Sequence, residues 1–207
     1  MISIVDYGLG NVQAFANVYK RLGIEACVVS SAEELENAKG IILPGVGAFD
    51  HAVKMLAESG FRPMLEELVV KREVPVLGIC VGMQLLANGS DEGDLQGLGW
   101  VPGQVRNLKT NPDFGNDPLP HMGWNDVHAT KASPLMRNLE SDARFYFLHS
   151  YYFESATSDT ALATVNYGFN FTAMVNLKNV YGVQCHPEKS HRWGAQLLKN
   201  FAEIGGC

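Results

Sequence analysis

The chain has 207 residues, 46% of them hydrophobic, and its 16 basic and 22 acidic side chains leave a net charge of −6. This length suits about one domain, which can bury roughly 70% of the surface that its unfolded chain exposes. No basic cluster argues for a nucleic-acid partner, and no apolar run approaches the roughly 20 residues that span a bilayer. We therefore expect a single domain over residues 1–207, with neither a nucleic-acid nor a membrane partner.

The first half of the chain alternates short apolar segments with segments of helical periodicity. Strands are predicted at residues 2–6, 26–30, 40–43 and 76–79. Helices are predicted at residues 11–22, 50–57 and 62–72. This alternation predicts an α/β fold of the flavodoxin-like kind, with an open, mostly parallel central sheet and helices on both faces.

The second half changes character from Trp100 onward, where clusters of Gly, Pro and Asn separate segments rich in β-branched and aromatic residues. Strands are predicted at residues 124–130, 144–148, 162–165 and 172–177, and a helix at residues 193–204. Because these strands are short and separated by turns rather than by helices, we expect them to form an antiparallel extension of the sheet.

A cysteine stands at the end of the fourth predicted strand, in the sequence Gly78-x-Cys80-x-Gly82. A strand that turns at once into a helix holds such a residue in a strained backbone conformation, and the two glycines avoid collisions in the turn. The free N–H groups at the start of the helix favour the thiolate, which is the nucleophilic form. On this motif alone, Cys80 is explained equally well as a buried structural cysteine.

A base and its partner follow another short apolar strand, in the sequence Val183-Gln-Cys-His-Pro-Glu188. A cysteine nucleophile needs an imidazole to take its proton, and the imidazole needs an acceptor on its other nitrogen. His186 and Glu188 supply these two groups. Because sites in such a sheet gather beyond the carboxyl ends of the strands, we expect Cys80, His186 and Glu188 to meet there as a catalytic triad.

The third segment joins the strand at residues 40–43 to a glycine-rich loop, Pro44-Gly-Val-Gly-Ala-Phe49. Such a loop brings backbone N–H groups close to a substrate oxygen, as an oxyanion hole requires. Taken singly, the loop is better explained as an ordinary strand-to-helix turn. Beside a nucleophile elbow, we instead expect oxyanion donors from Val81 and from the backbone of Val46 and Gly47.

Together the three segments resemble the class I, triad-type glutamine amidotransferases, and the resemblance spans essentially the whole chain. Several motifs resemble one branch of that family, the glutaminase subunits of the imidazole glycerol phosphate synthases of histidine biosynthesis. These motifs are Pro44-Gly-Val-Gly-Ala-Phe49, Pro120-His-Met-Gly-Trp-Asn125, His149-Ser-Tyr151 and His186-Pro-Glu-Lys-Ser190. The chain departs from the pattern at Val81, where leucine is usual, and at Cys185, where phenylalanine is usual. Neither departure removes a catalytic group.

The resemblance implies the rest of the site. Three residues are implied to contact glutamine: Gln84, Ser150 and Tyr151. Three are implied to face a partner: Trp124, Asn125 and Lys189. In isolation, Trp124 and Asn125 could instead be core and turn residues, and Lys189 an ordinary exposed lysine. The implied partner is the cyclase subunit, a (β/α)₈ barrel that forms a heterodimer with the glutaminase. It uses ammonia to make imidazole glycerol phosphate and the aminoimidazole carboxamide ribotide.

The remaining motifs argue against other chemistry. None of the four cysteines forms a Cys-x-x-Cys pair and no charged leader opens the chain, so we expect a cytoplasmic protein. Strand alternation turns Cys185 away from His186, which argues against a disulfide with Cys80. His186 and His191 lack the spacing of a helical metal site, and the loop at residues 6–11 lacks the third glycine of a dinucleotide motif. We expect neither a metal nor a cofactor, and that loop is either partner-facing or an ordinary turn.

The expected reaction is hydrolysis of glutamine to glutamate and ammonia through a thioester on Cys80. Ammonia must then travel by a sheltered path, because in bulk water it would be protonated and cease to be a nucleophile. Two alternatives stay open. The glutaminase could feed a different synthase, for example one that amidates a sugar, or the chain could be a non-catalytic module that binds a partner.

Overall fold

The computed structural model describes residues 1–139 and 143–207, and within these ranges it contains twelve strands. They are β1 Ile2–Val5, β2 Ala26–Val29, β3 Gly40–Gly45, β4 Val76–Cys80, β5 Gly89–Ser90, β6 Gly103–Asn107, β7 His121–Ala129, β8 Arg144–His149, β9 Tyr151–Ser155, β10 Ala161–Tyr167, β11 Phe169–Leu177 and β12 Val180–Val183. The α-helices are α1 Val12–Leu22, α2 Phe49–Glu58, α3 Phe61–Leu65, α4 Val81–Gln84 and α5 His191–Ile204.

The strands form one sheet whose main path runs β2-β1-β3-β4-β12-β11-β10-β7-β8. The first five strands on this path are parallel neighbours, and every pairing from β12 onward is antiparallel. β9 adds to β11 and carries β6 and β5 beside it. The predicted α/β class, with a parallel central sheet and an antiparallel extension, is confirmed.

Two groups of helices cover the parallel strands: α1 packs with α5, while α2 packs with α3 and α4. All residues of β1, β3 and β4 are buried, as expected of parallel strands that lie between helices. α1 ends at Gly23, which adopts a left-handed conformation with φ 69° and closes the helix through its N–H. Within the described residues, no helix is long and apolar enough to cross a membrane.

The structure contains three strands that the sequence did not predict, β5, β6 and β9. β6 has the sequence Gly-Gln-Val-Arg-Asn, in which only alternate positions are buried, and its polar residues resemble those of a loop. Its pairing with β9 joins residues 44 to 52 positions apart, from Asn107 with Tyr151 to Gly103 with Ser155. The helix predicted at residues 62–72 also differs, because α3 gives way after Leu65 to a π-helical segment, Glu66–Lys71.

Three adjacent parallel strands, β3, β4 and β12, bring the predicted site segments to one edge of the sheet. Gly45 at the end of β3 pairs with Cys80 at the end of β4. Val183 at the end of β12 pairs with Ile79, one residue before the cysteine. The glycine-rich loop, the elbow and the segment that contains His186 therefore begin side by side.

Candidate active site

Cys80 occupies a sharp turn between β4 and α4. Its φ is 55°, in the left-handed region that residues other than glycine rarely adopt. A Cβ atom on Gly82 would lie 1.9 Å from the carbonyl oxygen of Leu43, and one on Gly78 would lie 2.5 Å from the carbonyl oxygen of Gly82. Gly82 is therefore required by the packing of the turn against β3, and Gly78 by the packing of β4 against the turn itself, which is the steric reason expected for this motif.

The helix that follows Cys80 is a single turn. The carbonyl oxygens of residues 85–87 accept hydrogen bonds from N–H groups within residues 98–101, so the chain leaves the helix after Gln84. A helix of one turn aligns few peptide dipoles. Its electrostatic support for a thiolate is correspondingly smaller than that of a long helix, and other groups must contribute.

A cavity of about 300 Å³ opens beside Cys80. Its walls come from the glycine-rich loop, the elbow, the end of β8 and the segment after β12: Val46, Gly47, Cys80, Val81, Gln84, Glu92, Leu148, His149, Ser150, Tyr151, His186 and Lys189. The structure thus brings together the predicted nucleophile, base, oxyanion loop and substrate contacts. The cavity also contains two residues that the sequence did not indicate, Glu92 and Leu148, and His149, which the sequence indicated only as part of a family motif.

His186 and Glu188 form a buried ion pair at the wall of this cavity. The distance from Nδ1 of His186 to Oε1 of Glu188 is 2.9 Å, and their side chains are 7% and 4% exposed. Burial acts to lower the pKa of His186, but hydrogen bonding and charge from Cys80 and Glu188 outweigh it and raise the pKa to about 9. The imidazole is therefore protonated at neutral pH, with the Glu188 carboxylate as its counter-ion.

The backbone around His186 is fixed by β8. The N–H of His186 donates to the carbonyl oxygen of Tyr146 at 2.8 Å. Ser190 closes the other side, since its hydroxyl donates to the carbonyl oxygen of His186 at 2.6 Å and accepts from the N–H of Tyr146 at 2.9 Å. These bonds fix the backbone of His186, although the residue lies beyond the end of β12, and the bond from Nδ1 to Glu188 orients the ring.

The glycine-rich loop rests on the first strand-to-helix turn of the chain. The Tyr7 hydroxyl donates to the carbonyl oxygen of Pro44 at 2.7 Å. Gly10, with φ 92°, leaves room for Pro44, because a Cβ there would lie 2.8 Å from the proline Cβ. The loop at residues 6–11, whose role the sequence left open, thus supports the candidate oxyanion loop. Val81 is the first residue of α4, so its N–H has no partner within the helix and stays a predicted oxyanion donor.

Glu92 places a carboxylate in the cavity from a loop that the sequence did not single out. Its Oε2 accepts a hydrogen bond from the N–H of Phe49 at 2.8 Å, at the start of α2. Asp50 holds the same loop, because its carboxylate accepts from the N–H groups of Asp94 and Leu95 at 3.1 Å each. The cavity therefore contains a positioned negative charge on the side of the glycine-rich loop.

A chain of side-chain hydrogen bonds runs from β7 to the opposite wall of the cavity. His149 Nδ1 lies 2.7 Å from the carbonyl oxygen of Tyr151, and its Nε2 lies 2.9 Å from Nδ1 of His121. Asn125 Nδ2 lies 3.2 Å from His121 Nε2 and 2.8 Å from the carbonyl oxygen of Asn166. Burial lowers the pKa of His121 to about 4 and that of His149 to about 3. Both rings are neutral, and each bond in the chain has a defined donor.

An exposed apolar strip lies next to the cavity on β7 and β8. It consists of Met122, Trp124 and Leu148, which are 65%, 41% and 38% exposed. Met122 pairs with Leu148 across the two strands, so the three side chains share one face. The Trp124 ring stacks on His191 at 5.3 Å. Exposed apolar clusters of this kind are typical of protein interfaces.

The predicted partner-facing residues differ in their solvent exposure. Trp124 belongs to the exposed strip, and Lys189 is exposed with its Nζ 5.7 Å from the centre of the Tyr146 ring. Asn125 is only partly exposed, and its amide is bonded inward to His121 and Asn166. Asn125 therefore positions the hydrogen-bonded pair His121 and His149, and its amide is not free to bind a partner.

All four cysteines are free, and Cys185 is fully buried. This agrees with the prediction that Cys185 is a core residue. Burial, followed by the charge of Glu188, raises the pKa of the Cys185 thiol well above its usual range, so it stays a neutral thiol. Among residues 1–139 and 143–207, no group of three or more His, Cys, Asp or Glu side chains is arranged to hold a metal ion.

Known proteins match the chain over nearly its whole length. A family model described as glutamine amidotransferase class-I matches residues 3–204. A protein of Bdellovibrio bacteriovorus named imidazole glycerol phosphate synthase subunit HisH is 62% identical over 99% of this chain and 100% of its own length. The protein of the same name from Leptospira interrogans is 49% identical, with 99% of this chain and 100% of its own length covered.

Solved structures share the fold at lower identity. A crystal structure described as glutamine amidotransferase has a TM-score of 0.78 and 21% identity, with 100% of this chain and 99% of the other covered. The structure of PurLQS from Thermotoga maritima has a TM-score of 0.74 and 17% identity, with 98% and 97% covered. The family model and the identities to the named relatives establish that the chain belongs to the class-I glutamine amidotransferases, in the group of imidazole glycerol phosphate synthase HisH subunits.

Proposed function

We propose that residues 1–207 form a single glutaminase domain, the subunit of imidazole glycerol phosphate synthase that hydrolyses glutamine to glutamate and ammonia in histidine biosynthesis. One observation carries the proposal: Cys80 and the His186 that is paired with Glu188 face one cavity of about 300 Å³, which suits a small amino acid. The 62% identity to a protein named as that subunit supports the choice of pathway.

The first half-reaction forms a thioester. The Cys80 thiolate attacks the carbon of the glutamine carboxamide, and the electron pair of the C=O bond moves onto its oxygen. Backbone N–H groups of Val81 and of the loop at Val46 and Gly47 stabilise that oxyanion. When it collapses, the C–N bond breaks and His186 Nε2 gives its proton to the leaving nitrogen, which departs as ammonia.

The second half-reaction restores the enzyme. His186, now neutral, takes a proton from a water molecule as its oxygen attacks the thioester carbon. The C–S bond then breaks, glutamate leaves and Cys80 returns to the thiolate. Glu188 supports both steps, because its carboxylate fixes the tautomer of His186 and stabilises the positive charge that the ring carries between them. Its other oxygen is buried without a hydrogen-bond partner among the described residues, so the charge acts mainly on His186.

The cavity walls suit the backbone groups of glutamine. Glu92 offers a carboxylate to the α-ammonium group, and Gln84 and the main chain of Ser150 and Tyr151 lie within the same cavity. A substrate held at these groups would present its carboxamide to Cys80. Charge pairing in a partly closed cavity favours free glutamine over a peptide-linked glutamine, whose α-nitrogen carries no charge.

The second subunit follows from the chemistry of ammonia. Ammonia released into bulk water is protonated and lost as a nucleophile, so it must pass directly to the site that consumes it. We place that site in a cyclase subunit with a (β/α)₈ barrel, which docks on the apolar strip of Met122, Trp124 and Leu148 beside the cavity, with Asn125 and Lys189 at its border. The four free cysteines favour a reducing compartment, for which we propose the cytoplasm.

The test uses the chain in complex with its cyclase. The wild-type complex should form imidazole glycerol phosphate from either glutamine or an ammonium salt. The Cys80→Ala complex should lose the reaction with glutamine and keep the reaction with ammonium, because only the source of ammonia is removed. A Cys80→Ala complex that still used glutamine would refute the assignment of the nucleophile. A wild-type complex that made no imidazole glycerol phosphate would refute the assignment of the pathway.

Coupling between the subunits is part of the proposal. A glutaminase that ran without its cyclase would waste glutamine, so we expect the oxyanion donors of the glycine-rich loop to align fully only when the partner is bound and loaded. Gly47, with φ 87° and no atom near its Cβ position, leaves this loop free of side-chain obstruction. Full glutaminase activity of the isolated chain would contradict the coupling while leaving the triad intact.

A further inference from the structure

A buried carboxamide lies beside the nucleophile. Gln184 follows β12 and has no exposed surface, and its Nε2 lies 3.8 Å from Sγ of Cys80. Its backbone N–H donates to the carbonyl oxygen of Ala173 at 2.8 Å, which fixes the position from which the side chain extends. The distance to sulfur is that of an N–H···S hydrogen bond.

The direction of this bond is set by a second glutamine. Gln84 Nε2 lies 3.1 Å from Gln184 Oε1 and donates to it. A carboxamide accepts only through oxygen and donates only through nitrogen. With its oxygen engaged by Gln84, the amide of Gln184 turns its NH₂ group towards the sulfur of Cys80.

The burial of this polar side chain needs an explanation, because its neighbours in sequence, Val183 and Cys185, are also fully buried. A polar group in such a place is costly unless it is hydrogen-bonded, and an apolar residue would fill the space at lower cost. The Cys80 thiolate beside it, in contrast, needs a hydrogen-bond donor. Cys80 is only 6% exposed, and α4 is a single turn, so water and the helix stabilise a negative sulfur little. The imidazolium of His186 is one donor to that sulfur, and the amide of Gln184 is placed to be a second.

We propose that Gln184 stabilises the thiolate of Cys80 through an N–H···S hydrogen bond, and that Gln84 orients the amide that makes it. The proposal rests on the proposed role of Cys80 as the nucleophile. It gives Gln84 two roles, a contact with the substrate and the alignment of Gln184. It also explains how an elbow with a one-turn helix supports a charged sulfur.

The test replaces Gln184 by methionine, which keeps the length of the side chain and removes both the donor and the acceptor. The rate of Cys80 alkylation by iodoacetamide is followed by peptide mass spectrometry on the full chain, which separates Cys80 from the other cysteines. At pH 7 we expect Gln184→Met to alkylate roughly tenfold more slowly, because charge-assisted hydrogen bonds are among the stronger ones. In complex with the cyclase, kcat for glutamine should fall to a similar extent, with KM little changed.

If Gln184 only stabilised the fold, its replacement would not slow the alkylation of Cys80 in the folded protein. Asn200 is a matched control, since it is 2% exposed and its amide donates to the carbonyl oxygens of Leu135 and Arg137 at 2.8 and 2.7 Å, away from the cavity. Asn200→Leu should lower thermal stability and leave the alkylation of folded Cys80 unchanged. The smaller fraction of thiolate in Gln184→Met should also lower the pKa of His186 from about 9, as read from its ring protons by NMR.

The second glutamine keeps the proposal testable if Gln184→Met does not fold. Gln84→Met should also slow the alkylation of Cys80, and in the double variant the two effects should not add, because both act through one hydrogen bond. Unchanged alkylation in folded Gln184→Met, or in Gln84→Met if the first variant does not fold, would overturn the proposal. A wild-type complex that alkylates at Cys80 but never hydrolyses glutamine would instead refute the proposed function.

Discussion

His186 and Glu188 stand two residues apart, and Nδ1 of the imidazole lies 2.9 Å from Oε1 of the carboxylate. Pro187 separates them and opens a short 3₁₀ turn, Pro187–Lys189, which directs both side chains to the same side. The acid and the base therefore come from one rigid segment, while the nucleophile comes from another strand. The precision of the triad depends on the pairing of β12 with β4.

Replacing Glu188 by glutamine should separate orientation from charge. The Glu188→Gln variant would keep the shape of the side chain but remove the negative charge beside His186, so the pKa of His186 should fall from about 9 towards 6.5. We expect kcat for glutamine hydrolysis in the complex to fall by about 100-fold or more. NMR titration of the ring and steady-state kinetics measure the two effects, and an unchanged His186 pKa would contradict the ion pair.

The same pair predicts how stability depends on pH. The pKa of His186 is raised from 6.5 to about 9 in the folded chain, so its contribution to the free energy of unfolding is fully present below about pH 6.5. That contribution is lost as the pH rises through about 9. Urea unfolding of wild type and Cys80→Ser at several pH values measures, as a difference, the part of this contribution that depends on Cys80, because the serine variant keeps Glu188 and loses only the sulfur. We expect the difference to shrink between pH 6.5 and 9; a difference that grows over this range would be incompatible with a raised pKa.

Gly82→Ala should damage the elbow through backbone contact. The new Cβ would lie 1.9 Å from the Leu43 carbonyl oxygen, and overpacking of this kind costs about 1–3 kcal/mol or more. Gly115→Ala is the control, since its φ is 68° but nothing lies within 4 Å of its Cβ position, and it should cost only about 1 kcal/mol for the left-handed conformation. Denaturant unfolding compares the two, and equal losses would argue against tight packing at the elbow.

Glu92→Gln should raise KM for glutamine more than it lowers kcat. The amide oxygen can still accept from the Phe49 N–H, so the loop stays in place, but the charge opposite the α-ammonium group is lost. We expect KM to rise about tenfold, as for loss of a charged hydrogen bond. Glu154→Gln is the control, because Glu154 pairs with Arg106 outside the cavity, and it should leave KM unchanged.

Substitutions in the apolar strip should weaken binding of the cyclase. Trp124→Ala removes a large, partly exposed ring next to the cavity, and exposed aromatic residues often dominate interface energies. We expect the Kd for the cyclase to rise about tenfold or more by titration calorimetry. Val70→Ala is the control for the loss of exposed apolar surface elsewhere. Val70 is 54% exposed but lies near the amino end of β4, at the opposite edge of the sheet. Equal effects of the two changes would exclude the strip as the docking surface.

The features that the sequence predicted are those encoded locally. The elbow around Cys80 and the His186-Pro-Glu188 segment each lie within a few residues, and their strands are continuous apolar runs. The positions that it missed depend on contacts between distant segments. Glu92 enters the cavity because its loop is bonded to the start of α2, more than 40 residues earlier, and no local pattern indicates that contact. Gln184 is next to a motif, but only the fold reveals that its amide faces the sulfur.

The central claim is that Cys80 attacks glutamine with His186 as its base. An electrophilic glutamine analogue, incubated with the chain and its cyclase and followed by peptide mass spectrometry, measures this attack directly. If Cys80 attacks with His186 as its base, we expect a single adduct on Cys80, protected by excess glutamine and formed much more slowly in His186→Ala. An adduct on another residue, or labelling of Cys80 at the same rate in His186→Ala, would contradict it.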